Sequence, residues 1–133
     1  MPETNAQRIR AAYEALSRRD VHGLADLLDP DVEFRNPDYA METGIRHGRA
    51  EFIRALERGW EVIEDTRYEV ERIVEDGDVY VVIGFFTGRG VTGGVPVSTP
   101  FGHVLELRDE RAISVSWFQD PAEALAVAGI SER

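Results

Sequence analysis

The chain has 133 residues, 43% hydrophobic and 30% charged, a balance typical of one soluble globular domain. Its formal net charge of −10 disfavours nucleic-acid partners, and no apolar run approaches the roughly 20 residues of a membrane-spanning helix. It contains no cysteine, which excludes disulfides and thiolate metal ligands, and the first ten residues lack the apolar core of a secretory signal. We expect a single cytoplasmic domain over residues 1–133, with no membrane partner.

Three amphipathic helices are predicted in the N-terminal half. From Asn5 to Arg18, apolar residues recur three and four apart and form one stripe. A shorter helix follows Asp20, a good N-terminal capping residue, and is predicted to end at Asp29-Pro30. The third helix, from Arg49 to Ile63, again has one apolar face. These helices are expected to cover one side of a sheet.

A short strand is predicted between the second and third helices. Val32 and Phe34 alternate with charged residues, and the sequence Asn36-Pro37-Asp38 then predicts a turn. Residues 38–48 are interpreted as a loop.

The C-terminal half predicts an antiparallel meander, because β-branched and aromatic runs alternate with turn sequences. The four predicted strands are Thr66–Val74, Val79–Gly88, Val97–Leu107 and Ala112–Phe118. Val79–Phe86 is apolar on both faces, so we expect helices on one side and a second subunit of a homodimer on the outer sheet face. Pro121–Ala128 predicts a short closing helix. The predicted fold is α+β: a cone-shaped barrel of a curved antiparallel sheet, covered by three helices from the N-terminal half, with a short C-terminal helix.

Two apparent cofactor signals have simpler interpretations. The glycines at 88, 90 and 93 match the letters of a dinucleotide-binding fingerprint, but a strand follows them where that motif needs a helix, so a hairpin turn is favoured. The histidines at 22, 47 and 103 are far apart without ligand spacing, so no metal is expected.

Few residues are placed to carry protons. Asp38 follows the first strand and Asp120 follows the last, where the mouth of a sheet gathers side chains. His103 lies inside a strand, as a core residue or as a donor in a pocket.

Four short motifs resemble one known superfamily. They are Arg10-Ala-Ala-Tyr13-Glu-Ala-Leu16, Phe34-Arg-Asn36-Pro37, Pro100-Phe-Gly102-His103 and Ser114-Val-Ser-Trp117-Phe-Gln119-Asp120. Together with the order of elements, they resemble the nuclear transport factor 2-like superfamily, and within it the SnoaL-like branch related to ketosteroid isomerase. The resemblance spans almost the whole chain. Its members include isomerases, polyketide cyclases, dehydratases, epoxide hydrolases and proteins without catalysis, so it implies the fold more than the activity.

The resemblance also implies roles for individual positions. Tyr13 falls where the steroid isomerase has its oxyanion-binding tyrosine, whereas Asn36 replaces the proton-carrying aspartate and Gly102 replaces the protonated aspartate. An amide has no proton that titrates near neutral pH, so steroid isomerisation is disfavoured. Epoxide hydrolysis is disfavoured as well, because Trp117 stands near the place of one required acid.

The leading hypothesis is a cavity that binds a small apolar or aromatic molecule carrying some oxygen. The expected wall consists of Tyr13, Asn36, Trp60, Phe85, Gly102, Trp117 and Gln119. Which of Gly102 and His103 faces inward stays open, because a β-bulge reverses the alternation of side chains. The alternatives are an isomerase, cyclase or dehydratase without a metal or nucleotide cofactor, using Asp38 or His103 as proton carrier, and an association module.

Overall fold

The computed structural model describes residues 4–36 and 44–130. Its elements in chain order are helix α1 (Asn5–Ser17), helix α2 (Val21–Ala25), strand β1 (Leu28–Asn36), strand β2 (Gly44–His47), helix α3 (Arg49–Trp60), strands β3 (Ile63–Asp76), β4 (Val79–Gly90), β5 (Pro96–Arg108) and β6 (Arg111–Phe118), and helix α4 (Pro121–Ala128). The predicted α+β class is confirmed, with three helices in the N-terminal half and one short C-terminal helix. No helix in these two ranges is both long and apolar enough to cross a membrane.

The first helix is fixed at its start by a reciprocal cap. The Thr4 hydroxyl accepts a hydrogen bond from the Gln7 backbone N–H, and the Gln7 side chain accepts one from the Thr4 N–H. The apolar stripe of α1 is buried against the sheet, and it includes Ile9, Tyr13 and Leu16. The cap and the stripe together place Tyr13 over the inner sheet face.

The sheet has the order β2-β1-β6-β5-β4-β3. The predicted antiparallel meander of β3 to β6 is present, but β1 joins it by pairing in parallel with β6. A parallel pair needs a long crossover, which β2, α3 and the meander supply. The described sheet is therefore mixed, and it is open rather than closed into a barrel, with β2 and β3 at its edges.

Two helix ends and one strand differ most from the sequence prediction. Helix α2 ends at Ala25, before the predicted stop at Asp29-Pro30. These two residues belong to β1 and lie where its register with β6 shifts. Proline lacks an N–H and fits such an irregular point in a strand. Strand β2, expected as loop, pairs with β1, and its four residues are too few to show a periodic pattern. Helix α3 ends at Trp60, and Ile63 begins β3.

The two faces of the sheet bury separate apolar clusters. The inner face packs against α1, α2 and α3 and carries the larger cluster. On the outer face, Val81 and Ile83 of β4 pack with Ala124 of α4. Helix α4 therefore covers Val81 and Ile83 within one chain, while Phe85 on the same face of β4 stays 42% exposed.

Candidate functional site

A small cavity lies between the helices and the inner sheet face. Its volume is about 30 Å³, close to the space that one water molecule takes in the liquid. The residues lining it are Ala12, Tyr13, Leu16, Leu24, Leu27, Leu28, Phe52, Tyr68, His103, Leu105, Val115 and Trp117. Pockets for drug-sized organic ligands measure roughly 300 Å³ or more. The hollow predicted from the sequence is therefore largely filled by the apolar and aromatic side chains that line it.

Two polar side chains meet in this apolar interior. The Tyr13 hydroxyl lies 2.6 Å from His103 Nδ1 in a buried hydrogen bond that joins α1 to β5. Tyr13 is 7% exposed and His103 is 6% exposed. Burial lowers the pKa of His103 from its ordinary 6.5 to about 3. Burial, together with the nearby Tyr68, raises the pKa of Tyr13 well above 10. Both groups are neutral at neutral pH, so the bond joins two uncharged partners.

The pleat of β5 settles which neighbour faces the cavity. Phe101, His103 and Leu105 alternate on the inner side, which places Gly102 on the outer side, under α4. A Cβ added at Gly102 would lie 2.7 Å from the Ala124 Cβ, so the glycine allows helix and strand to approach closely. Because β5 and β4 pair in continuous register along this stretch, no bulge reverses the alternation here. His103 thus takes the inward position, and Gly102 does not.

Aromatic rings surround the Tyr13–His103 pair. The His103 ring stacks on Phe101, with centroids 4.4 Å apart, and on Trp117 at 5.6 Å. Trp117 then meets Phe52 edge to face at 5.6 Å. Such contacts stabilise by about 0.5–1.5 kcal/mol each beyond the burial of area. The rings fix the orientation of the imidazole.

Besides Gly102, three residues predicted for the cavity wall lie elsewhere. Phe85 is on the outer face of β4 and is 42% exposed, because strand alternation turns the next residue, Phe86, inward. Trp60 packs on the inner core at the end of α3, under the guanidinium of Arg19 at 5.3 Å, and does not line the cavity. Gln119 is exposed beyond the end of β6.

The remaining candidates either cap a helix or lie at or beyond the limits of the described residues. Asp120 caps α4 by accepting a hydrogen bond from the Ala122 N–H at 2.9 Å. Asp38 lies outside the described residues. Asn36 is described through its backbone, at the end of β1 opposite Gly44. Over residues 4–36 and 44–130 no group of three or more histidine, aspartate or glutamate side chains is arranged to hold a metal ion.

The sequence reasoning missed Tyr68. This residue of β3 lines the cavity and meets Tyr13 edge to face, with ring centroids 6.1 Å apart. Burial raises the pKa of Tyr68 to about 12. Its signal was the alternation of Thr66, Tyr68 and Val70 with charged residues, which is typical of inward positions on a strand.

Comparisons with known proteins agree with this architecture. A family model described as a SnoaL-like domain matches residues 9–115. An NTF2-like protein of unknown function from Burkholderia pseudomallei is 32% identical, with 94% of this chain and 97% of that chain covered and a TM-score of 0.78. TerC, crystallised with polyporic acid, is 25% identical, with coverages of 90% and 93% and a TM-score of 0.78. A protein with a ketosteroid isomerase-like fold from Catenulispora acidiphila, in complex with trimethylamine, is 19% identical over 96% of each chain, with a TM-score of 0.77. No curated protein sequence matches the chain.

Proposed function

Because this chain belongs to the SnoaL-like domain family, we propose that it binds a mostly apolar, partly oxygenated small molecule at Tyr13 and His103. The observation that carries the proposal is their buried hydrogen bond of 2.6 Å. A polar pair inside an apolar interior is expensive unless it is satisfied, and it is the kind of feature that orients a ligand in a pocket.

The neutral state of the pair defines the ligand chemistry. His103, with a pKa of about 3, offers a neutral imidazole at physiological pH, and Tyr13 offers an uncharged phenol. Such groups exchange hydrogen bonds with carbonyl and hydroxyl oxygens. They supply no buried carboxylate to balance an ammonium. The aromatic neighbours of the pair favour a ring in the ligand.

Calorimetric titration with polyporic acid, the molecule bound by TerC, tests this proposal. Tyr13→Phe keeps the ring and removes one hydrogen bond, so we expect about tenfold weaker binding. Trp117→Ala removes a ring of the cavity wall, and we expect it to abolish binding while the fold persists. Tyr80→Phe is the matched control, since the Tyr80 hydroxyl contacts Asn5 and Glu75 away from the cavity. Undiminished affinity in both cavity variants, or no saturable binding to the wild type, contradicts the proposal.

An acid–base enzyme is the second candidate, and the Tyr13–His103 bond is what favours it. A histidine with a pKa of about 3 is a poor proton carrier at neutral pH, so water would take the α-proton while the pair stabilises the resulting oxyanion by hydrogen bonds. Deuterium exchange at the α-carbon of 2-tetralone, followed by NMR, separates the candidates. If the protein accelerates the exchange and Tyr13→Phe abolishes the acceleration, the enzyme is supported. If the protein does not change the exchange rate, ligand binding without catalysis is supported.

Association of two copies through the outer sheet face is the third part of the proposal. Helix α4 covers Val81 and Ile83, but Phe85 stays 42% exposed on the same face, opposite Pro100 of β5. Aromatic side chains are enriched in protein–protein interfaces.

A further inference from the structure

The cavity is too small to admit a ligand as it stands. At about 30 Å³ it cannot hold an organic ring, so a ligand reaches Tyr13 and His103 only after a lining side chain moves. This inference rests on the proposed function for the identity of the ligand. The side chain that moves needs free space on its outer side, because packed interiors give way at few points.

Tyr68 has that space. A surface cleft of about 620 Å³ lies between α1 and β3, lined by Glu14, Ser17, Arg18, Asp65, Thr66, Arg67, Tyr68 and Glu69. Of the aromatic side chains that line the inner cavity in the described ranges, Tyr68 is the one that also lines this cleft. As a whole residue Tyr68 is half-buried, whereas Tyr13 and Phe52 are buried. Tyr68 is thus the wall between the cavity and the cleft.

A hydrogen bond fixes the backbone of Tyr68 against α1, whereas its side-chain ring makes packing contacts. Its N–H donates to the Ser17 Oγ at 2.9 Å, which fixes β3 against α1. The ring contacts Phe86 at 4.9 Å and Phe101 at 5.6 Å, as well as Tyr13. Rotation of the side chain into the cleft gives up ring contacts that an aromatic ligand can replace.

Thr66 marks the same route with a polar group. It is 5% exposed, it lines the cleft, and its Oγ1 has no hydrogen-bond partner among the described residues. A buried hydroxyl without a partner is rare in proteins, and it gains a hydrogen bond when a ligand oxygen passes or stays beside it.

A second groove beside α1 is the competing entrance. It has a volume of about 1110 Å³ and shares Ala12 and Leu27 with the cavity. These two residues are 2% and 4% exposed and belong to the inner core, so opening there breaks the packing of α1 and of the segment after α2. Tyr68 is the less costly barrier.

We infer that Tyr68 is the gate to the interior, and that flat aromatic molecules carrying hydroxyl or carbonyl oxygens enter through the cleft between α1 and β3. Two observations carry this inference: Tyr68 separates the cavity from the cleft, and the unpartnered hydroxyl of Thr66 lies beside it. The phenol of Tyr68, neutral with a pKa of about 12, then donates to the ligand once it is inside.

The chain has two tryptophans, so a Trp60→Phe background leaves Trp117 in the cavity wall as the only indole. In this background we compare Tyr68→Leu with Phe86→Leu, a matched change on a neighbouring ring that lines neither space. We expect Tyr68→Leu to speed the association of polyporic acid by about 3- to 10-fold, the effect of removing one or two ring contacts from the barrier. Acrylamide quenching of Trp117 fluorescence should also increase in Tyr68→Leu. Phe86→Leu should change neither the association rate nor the quenching.

The outcomes separate the gate from the proposed function. If Tyr68→Leu changes neither rate nor quenching, or if Phe86→Leu changes them equally, the gate is wrong. If polyporic acid fails to bind the wild type, the proposed function fails, while quenching still decides the gate. Circular dichroism checks folding, and Tyr68→Val, a residue suited to an edge strand, carries the same comparison should the leucine variant not fold.

Discussion

Burial makes His103 a pH-dependent contributor to stability. Its pKa falls from 6.5 when unfolded to about 3 when folded, so the unfolded chain binds the extra proton first. The stability it contributes is complete above pH 6.5 and is lost as the pH falls from there towards 3. Between pH 7.5 and 5.5 we expect the free energy of unfolding to fall by about 1.4 kcal/mol from this group. Urea titrations across this range measure it.

Two variants show whether His103 causes this slope. His103→Gln removes the titrating imidazole, so its free energy of unfolding should lack this part of the pH dependence. His22→Gln, a change of the same kind on the exposed surface of α2, should retain it. A slope that persists in His103→Gln shows that other groups produce it.

At the scale of single residues, the sequence predicted which residues lie in an element better than which face of it their side chains occupy. Tyr13 was placed correctly on the apolar stripe of a helix because that stripe has a strong period. Phe85 and Gly102 were assigned to the wall, but each stands on the outer side of its strand. Period-2 alternation changes side with a shift of one residue, and the apolar run of β4 contains no polar residue that marks its faces.

Among the elements, α4 depends on a close approach that only glycine allows. A Cβ at Gly102 would lie 2.7 Å from the Ala124 Cβ and 2.9 Å from the Pro121 Cα. We therefore expect Gly102→Ala to lower the free energy of unfolding by about 1–3 kcal/mol, as overpacking does. Chemical denaturation measures the change.

Gly59 provides the opposite case. It lies in the last turn of α3, has no atom within 4 Å of an added Cβ, and has no positive φ. Gly59→Ala should raise the free energy of unfolding by about 0.5–1 kcal/mol, the usual gain in a helix. Equal effects at the two glycines would refute the close packing of α4 on β5.

Elements with long periods were predictable, and short or irregular ones were not. Helices α1 and α3 and the four-strand meander follow clear patterns over eight or more residues. Strand β2 has four residues, and β1 contains Asp29-Pro30, which read locally as a helix stop. Both strands exist because they pair with neighbours, and pairing partners are not visible in a local pattern.

For the whole molecule, composition and element order were sufficient to predict the fold class, but not the size of the cavity. Cavity volume depends on how the rings of Tyr13, Tyr68, His103 and Trp117 pack, and these come from α1, β3, β5 and β6. No local pattern fixes such a junction. The pair at its centre was assembled by two residues 90 positions apart in the chain.

Association through the outer sheet face makes a prediction for the whole molecule. In sedimentation equilibrium, the 14.9 kDa chain should behave as a particle of about twice that mass. Phe85→Glu places a charge in the interface and should weaken the dimer by tenfold or more, since burying an unpaired carboxylate costs more than about 1.4 kcal/mol. Val62→Glu, at an exposed position between α3 and β3, is the control.

Charge gives this prediction a second readout. Each chain carries a formal charge of −10, so two copies repel, and added salt screens that repulsion. The dimer should therefore tighten as ionic strength rises, in wild type and in Val62→Glu alike. If the wild-type chain sediments as a monomer at high salt, the dimer is excluded. If Phe85→Glu dimerises as the wild type does, the outer sheet face is not the interface, because Phe85 would then make no contact between copies.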